Sequence, residues 1–222
     1  MNFPTYHYFN FFDNPHNVID IANKLDYERE RINGKVTYPG ERSKPLFDVE
    51  PNLFQYVCYK TLSMFYSFEE MKEVEWVAKS TFQKIKSGDT FQGEGWVHRD
   101  IESKLTSIVY LSPNITDVGT SIYCPKKEIL KKVDTIRYKK FSGEEVSEEE
   151  YMKDYNKNME NFYKAASFNS LFNSCVAFDG AYHHGANLNV PTGEERLTLV
   201  TFFYKLIAPR FPVSEVRRGL SN

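Results

Sequence analysis

His98 and Asp100 stand two residues apart in the run Gly95-Trp96-Val97-His98-Arg99-Asp100. In an extended chain residues i and i+2 project to the same side, so this imidazole and carboxylate can take neighbouring positions on one metal ion. A third donor is offered far downstream, in Phe178-Asp179-Gly180-Ala181-Tyr182-His183-His184-Gly185. Adjacent residues of a strand face opposite ways, so only one of the two histidines can join. Two imidazoles and a carboxylate that leave coordination positions open suit a redox-active first-row ion such as Fe(II). Arg196 follows His184 by 12 residues and opens the run Leu197-Thr198-Leu199-Val200-Thr201-Phe202-Phe203-Tyr204. A guanidinium matches a carboxylate with two parallel hydrogen bonds, which an ammonium cannot do. Thr198 shares a strand face with Arg196 and can add a hydroxyl. Together they suit a dicarboxylate that chelates a metal at one end and is anchored at the other. Taken singly, each feature also fits a blander role: a surface pair on an edge strand, or an exposed arginine where a strand begins.

These groups need rigid elements to hold them. Tyr6–Phe12 alternates aromatic and polar residues and reads as a strand. Asn14 can cap a helix over 15–26, with Pro15 at its first position and Val18, Ile19, Ile21, Ala22 and Leu25 on one face. A second helix begins near Pro51 and turns Leu53, Phe54, Val57, Leu62 and Phe65 inward. From Glu73 the period falls to two, and short strands follow around Trp96–Asp100, Leu105–Leu111, Thr120–Tyr123, Ser174–Phe178 and Leu197–Tyr204. Helices first and strands later predict an α+β chain that is mainly β: a single domain over 1–222, with N-terminal helices (15–66) packed on one sheet of a jelly-roll core (73–204). A charged stretch over 124–170, with Lys126-Lys127, Lys131-Lys132 and Glu144–Glu150, interrupts the strands. It reads as a solvated helical insertion, with a lid over the site as the functional alternative. The end, 208–222, reads as a surface tail.

Composition narrows the classes. The chain has 222 residues and a formal net charge of −2, which argues against a nucleic-acid partner because neutralising phosphates needs a basic surplus. Aromatic residues make up 16%, which favours pleated, half-buried surfaces. The three cysteines are far apart with no Cys-x-x-Cys spacing, as expected of reduced thiols in a reducing compartment. The start, Met-Asn-Phe-Pro-Thr-Tyr, does not read as a secretory signal, and no apolar run approaches the roughly 20 residues a membrane helix needs. A soluble, cytoplasmic protein is expected.

The order of these motifs resembles the 2-oxoglutarate/Fe(II)-dependent oxygenases of the prolyl 4-hydroxylase-like branch. The resemblance rests on His98-x-Asp100, Thr106-Ser107-Ile108-Val109-Tyr110-Leu111, Val118-Gly119-Thr120-Ser121-Ile122-Tyr123, His184-Gly185 and Arg196-Leu197-Thr198, over 38–204 apart from the charged stretch. The chain looks most similar to small bacterial and phage members of uncharacterised function, which carry a Tyr-Pro-Gly-x-Arg segment like Tyr38–Arg42. It departs in having Val118-Gly119 where the branch has paired glycines, and in doubling the last histidine. The branch's ligand lies five residues after a Tyr/Phe-Asp pair and before a small residue. That pattern favours His184 as the third ligand, with His183 the alternative.

The resemblance implies a double-stranded β-helix. It also implies Fe(II) on His98, Asp100 and His184, and 2-oxoglutarate with its far carboxylate on Arg196, helped by Thr198 and Tyr110. The implied activity is a dioxygenase: with O2 it hydroxylates an unactivated C–H bond and releases succinate and carbon dioxide. The substrate would be a protein side chain such as proline, or a small amino-acid-like molecule. Arg42 and Trp96 are candidate substrate contacts, Arg42 for an acidic substrate or cofactor, though the favoured reading of Arg42 is that it stabilises its own loop, and Trp96 could be core. Two other classes remain open: a non-oxidative cupin-like metal-binding isomerase or binding module, and a non-catalytic structural domain. Cupin-like sites usually cluster more His and Glu ligands than are found here.

Overall fold

The computed structural model describes residues 3–29, 36, 38–91, 95–127 and 136–213. Along these the chain forms β1 (Tyr6–Tyr8), α1 (Pro15–Lys24), β2 (Tyr27–Glu28), β3 (Glu41–Ser43), α2 (Leu46–Val49), α3 (Pro51–Leu62), β4 (Glu75–Lys86), β5 (Leu105–Tyr110) and β6 (Thr120–Pro125). It continues with α4 (Ile136–Phe141), α5 (Glu148–Met159), β7 (Phe162–Phe168), β8 (Cys175–Asp179), β9 (His183–Ala186) and β10 (Glu195–Ile207). Among the described residues the strands make a seven-stranded sheet, ordered β1-β8-β5-β10-β4-β3-β2, and a three-stranded sheet, β7-β6-β9. All pairings are antiparallel. This is a mainly β fold of the double-stranded β-helix type, with few helices.

Strand parity divides the large sheet into two working faces. Leu197, Leu199 and Phe203 of β10, Leu105 and Val109 of β5, and Ala177 of β8 pack on Val18 and Ala22 of α1 and on Phe54, Val57 and Leu62 of α3. The alternate residues, including Arg196, Thr198, Val200 and Phe202, turn away from that core. Asn14 caps α1 by accepting a hydrogen bond from Asn17 N at 3.3 Å, and Pro15 fills its first position.

Several elements differ from the sequence reading. The first strand stops at Tyr8 because Asn10 is left-handed (φ 54°), which turns Phe11 and Phe12 into the core. Helix α1 ends at Lys24, and β4 begins only at Glu75, after a short 3-10 turn at Glu70–Glu73. Residues 95–100 are not a laddered strand; His98 makes an isolated antiparallel bridge to His184. The charged stretch over 124–170 is not wholly helical, since Phe162–Phe168 is a strand paired with β6. Nor is it simply solvated: Tyr151, Tyr155 and Phe141 are buried in one cluster with Trp96. Ser147 starts α5 by accepting from Glu150 N at 3.2 Å. Lys131-Lys132 lies outside the described residues. The tail reading also needs correction over its described part. Phe211 and Ala208 pack on the core, and Arg210 pairs with Glu70. Strands β1, β2 and β3 extend the jelly roll beyond 73–204, because their backbone groups complete the edges of the large sheet. No helix among the described residues is long and apolar enough to cross a membrane.

Gly119 leads into β6, where an added Cβ would lie 1.7 Å from the Phe168 carbonyl oxygen. Both groups are backbone, so neither can move aside. Gly119→Ala should therefore destabilise the fold by about 3 kcal/mol, read as a lowered urea midpoint with unchanged slope. A midpoint equal to the wild-type value would count against this close approach.

Candidate metal and oxo-acid site

The structure brings His98, Asp100 and His184 together. One ligand atom from each lies within 4.8 Å of the others. His184 Nε2 is 3.3 Å from Asp100 Oδ2, and His98 Nε2 is 3.8 Å from Asp100 Oδ1. The two histidines exchange backbone hydrogen bonds of 2.9 Å in both directions, and Asp100 N donates to Gly180 O at 3.0 Å. The bridge brings the two segments close because Gly185 has no side chain; a Cβ there would meet Gly95 O at 2.9 Å.

Each imidazole is oriented by its own segment. His98 Nδ1 lies 2.8 Å from Trp96 O, and His184 Nδ1 lies 2.9 Å from Tyr182 O. A carbonyl can only accept, so Nδ1 carries the proton and the Nε2 lone pairs turn toward Asp100. Thr106 Oγ1 donates to Asp100 Oδ2 at 2.9 Å and fixes the carboxylate. Burial and the neighbouring His184 push His98 well below the usual imidazole range, although one edge of its ring faces the cavity. Burial opposes the Asp100 charge, but His184 and His98 outweigh it and hold the carboxyl far below its ordinary value. Burial likewise works against a charged His184, and Asp100 overcomes it to raise the pKa. An ionised carboxylate facing two imidazole nitrogens is the donor set of a mononuclear divalent ion with open positions. Thr106 was not singled out from the sequence, although its place in β5, opposite Phe178 of the neighbouring β8, leaves a local signal, a hydroxyl on the inner face. Thr106→Val should weaken metal binding by roughly 10-fold or more without unfolding the protein, checked by competitive metal titration.

His183 is not part of this group. It points the other way, with its ring centroid 4.9 Å from that of Phe162. His184 is buried (5% exposed) beside Phe178. Asp179 holds the preceding turn, accepting from Ala181 N at 2.9 Å through its side chain and from Tyr182 N at 2.9 Å through its carbonyl.

The His98–Asp100–His184 group opens on a cavity of about 420 Å3, a volume within the range of ligand sites. Arg196 lines it from β10 and is 2% exposed. Its Nε donates to Val118 O at 2.6 Å, and its guanidinium carbon is 5.7 Å from the Tyr110 ring centroid. Among the described residues no carboxylate pairs with it. Burial lowers its pKa, as expected of a cation lacking an anion. Thr198 lies on the same face with its Oγ1 buried and without a hydrogen-bond partner among the described residues. Tyr110 is buried with its hydroxyl donating to Thr120 Oγ1 at 2.7 Å, and burial pushes its phenol up to about 12. Thr198 and Tyr110 sit behind the residues that line the cavity rather than among them, while Thr120 does line it. The buried Arg196 guanidinium, on the same cavity wall as His98, Asp100 and His184, is a group that fits a carboxylate.

Arg42 reaches this cavity, with its guanidinium 3.5 Å from the Tyr38 ring centroid and 5.5 Å from that of Phe202. Trp96 does not wall the cavity. Its indole donates to Tyr151 OH at 2.9 Å, and Tyr155 packs on it, so α5 draws the ring away. The sequence reading also missed Asn158. Its side chain accepts from Val97 N at 2.9 Å and donates to Val97 O at 3.3 Å, which pins the ligand-bearing segment to α5.

Fold and site together define a double-stranded β-helix carrying a two-histidine, one-carboxylate group with the spacing of a candidate metal site. Residues 4–203 match a family of unknown function (DUF6445), and the chain belongs to that family. No curated protein matches it. Among solved structures it is similar to EvdO2 from Micromonospora carbonacea var. aurantiaca, complexed with 2-oxoglutarate, at 10% identity and a TM-score of 0.53, covering 94% of this chain and 90% of the other. It is also similar to the epimerase SnoN in complex with Fe3+, alpha ketoglutarate and nogalamycin RO, at 11% identity and a TM-score of 0.52, covering 94% and 81%. A third is an oxidoreductase of the 2OG-Fe(II) oxygenase family from Burkholderia pseudomallei, at 14% identity and a TM-score of 0.50, covering 90% and 83%. At such identities the likeness carries the fold.

Proposed function

We propose that this chain is an Fe(II)- and 2-oxoglutarate-dependent oxygenase that hydroxylates an unactivated C–H bond of a small molecule or a peptidyl side chain. The observation that carries the reading is Arg196, a buried cation with no carboxylate partner among the described residues, on the same cavity wall as His98, Asp100 and His184. An unpaired buried charge is costly, so an anion is expected there. Bound in this cavity, iron and 2-oxoglutarate would supply the oxidising power, with O2 consumed and succinate and carbon dioxide released. The chain's residues do the positioning. His98, Asp100 and His184 hold the ion, while the carbonyls of Trp96 and Tyr182 and the Thr106 hydroxyl fix their orientation. Arg196 and Thr120 on the cavity wall hold the far carboxylate of the oxo acid, backed by Tyr110, which donates to Thr120, and by Thr198 behind them. Ile85, Ile108 and Val200 line the cavity with apolar surface and limit water.

A cupin-like isomerase is less well supported. The one candidate metal group among the described residues has three members, and no further His or Glu joins it. The free cysteines, two of them buried, agree with a reducing compartment, and we place the protein in the cytoplasm on that ground. The test is to mix anaerobic protein with Fe(II) and 2-oxoglutarate and record the weak visible charge-transfer band, then admit O2 and assay succinate. A wild-type protein that gives no band and binds neither metal nor oxo acid sinks the reading.

A further inference from the structure

We propose that Asn158 is a positioning residue of the metal group: by clamping both peptide units around Val97 it sets the direction of the His98 imidazole. The inference rests on the reading of His98, Asp100 and His184 as metal ligands. The segment that carries His98 and Asp100 is held by backbone on one side. His98 exchanges hydrogen bonds of 2.9 Å with His184 in both directions, and Asp100 N donates to Gly180 O at 3.0 Å. Backbone groups of successive residues in an extended chain point to opposite sides, so those of Val97 face away from β9. No strand among the described residues pairs with Val97 there. Asn158 takes the place of one. Its Oδ1 accepts from Val97 N at 2.9 Å, and its Nδ2 donates to Val97 O at 3.3 Å. One side-chain amide thus presents the acceptor and the donor that a paired strand would offer. Both residues are buried, so little water competes for these bonds.

The consequence for His98 passes through one peptide unit. The bond between Trp96 and Val97 is trans and planar, so its carbonyl and its N–H point opposite ways and turn together. Asn158 holds the N–H, and the carbonyl accepts from His98 Nδ1 at 2.8 Å. Fixing one end therefore fixes the other, and with it the direction in which Nε2 is aimed. The second clamped unit joins Val97 to His98. Its carbonyl accepts from Asn158, and its N–H donates to His184 O. Asn158 is itself anchored. It lies in the last turn of α5, whose Tyr151 and Tyr155 are buried with Trp96, and the Tyr151 hydroxyl accepts from the Trp96 indole at 2.9 Å. Phe162 and Met159 pack with Val97. Helix α5 of the charged insertion is thus a strut behind His98, and Asn158 acts on the metal group without lining the cavity.

The experiment compares Asn158→Leu, which removes both bonds, with Asn158→Asp, which keeps an acceptor for Val97 N and loses the donor to Val97 O. Val57→Ala, in the core that α3 shares with the large sheet, is the control that loses stability away from the site. Co(II) is titrated into each protein in competition with a chelator, and its visible d–d spectrum and the melting temperature are recorded. Asn158→Leu should bind Co(II) roughly tenfold or more weakly than wild type and change the d–d spectrum. Asn158→Asp should fall between the two. Val57→Ala should melt lower yet keep the wild-type affinity and spectrum. In metal-free protein the Nδ1–H resonance of His98, identified by its loss in His98→Gln, should appear in wild type and Val57→Ala and be lost or shifted in Asn158→Leu. Wild-type affinity and spectrum in Asn158→Leu, or an equal loss in Val57→Ala, would overturn the proposal. If Asn158→Leu does not fold, Asn158→Asp carries the test, and wild-type affinity there overturns it. If wild-type protein binds no Co(II), the metal reading falls and the His98 resonance decides. Its loss with Asn158 then leaves the positioning role standing; its absence from wild type, or its persistence unshifted in the Asn158 variant, ends that role too.

Discussion

His184→Asn is expected to abolish metal binding, whereas His183→Asn leaves it close to wild type. The asparagine amide can keep the hydrogen bond that His184 Nδ1 makes to Tyr182 O, but it offers nothing at the position of Nε2. The variant therefore isolates the ligand from the packing around it. Losing one of three protein donors should cost more than the 10–100-fold attached to disturbing an outer partner. Without the ion, 2-oxoglutarate loses its chelating contact, and succinate formation should fall to background. His183 packs against Phe162 on the opposite side of β9, so its substitution should lower stability slightly and leave Fe(II) affinity intact. Metal content after dialysis, circular dichroism and the anaerobic charge-transfer band check all of these. Full metal binding by His184→Asn would show that the third ligand lies elsewhere.

Arg196→Met should separate stability from cofactor binding. In wild-type protein without oxo acid, a guanidinium is 2% exposed and has Val118 O as its hydrogen-bond acceptor but no carboxylate. Methionine fills similar space without a buried charge. The cofactor-free variant should be at least as stable as wild type, by about 1 kcal/mol or more, despite leaving Val118 O without that donor. If Arg196 anchors 2-oxoglutarate as proposed, the same change removes a pair of charge-assisted bonds worth ~3 kcal/mol, so affinity for the Ni(II)-loaded protein should drop on the order of 100-fold. Metal with 2-oxoglutarate should raise the melting temperature of wild type and not of Arg196→Met. Arg196→Lys should fall between them, since an ammonium keeps the charge but loses the parallel geometry. A methionine variant that binds 2-oxoglutarate like wild type would remove the main support for the proposed function.

Local sequence determined much of this molecule because the relevant physics is local. Strand period alone put His98 with Asp100, and Arg196 with Thr198, on common faces. The Asn14-Pro15 pair marked the start of α1, and the run from Leu197 to Tyr204 marked the central strand. Relations set by distant parts of the chain were not legible. Residues 95–100 carry a strand-like pattern, yet they make one bridge, and it takes Asn158 from 61 residues away to hold Val97 in place. Trp96 shares parity with His98, but α5 offers Tyr151 and Tyr155, and that packing decides where the indole goes. Alternation allowed either His183 or His184; the bridge to His98 chooses, because only the residue paired with it can aim Nε2 at Asp100. Arg137 looked like one more charge in a solvated stretch until α4 docked and put it on the cavity wall. Sequence by itself fixed which side chains share a face. Only tertiary packing, which joins segments nearly a hundred residues apart, decided which faces meet around one metal-sized point.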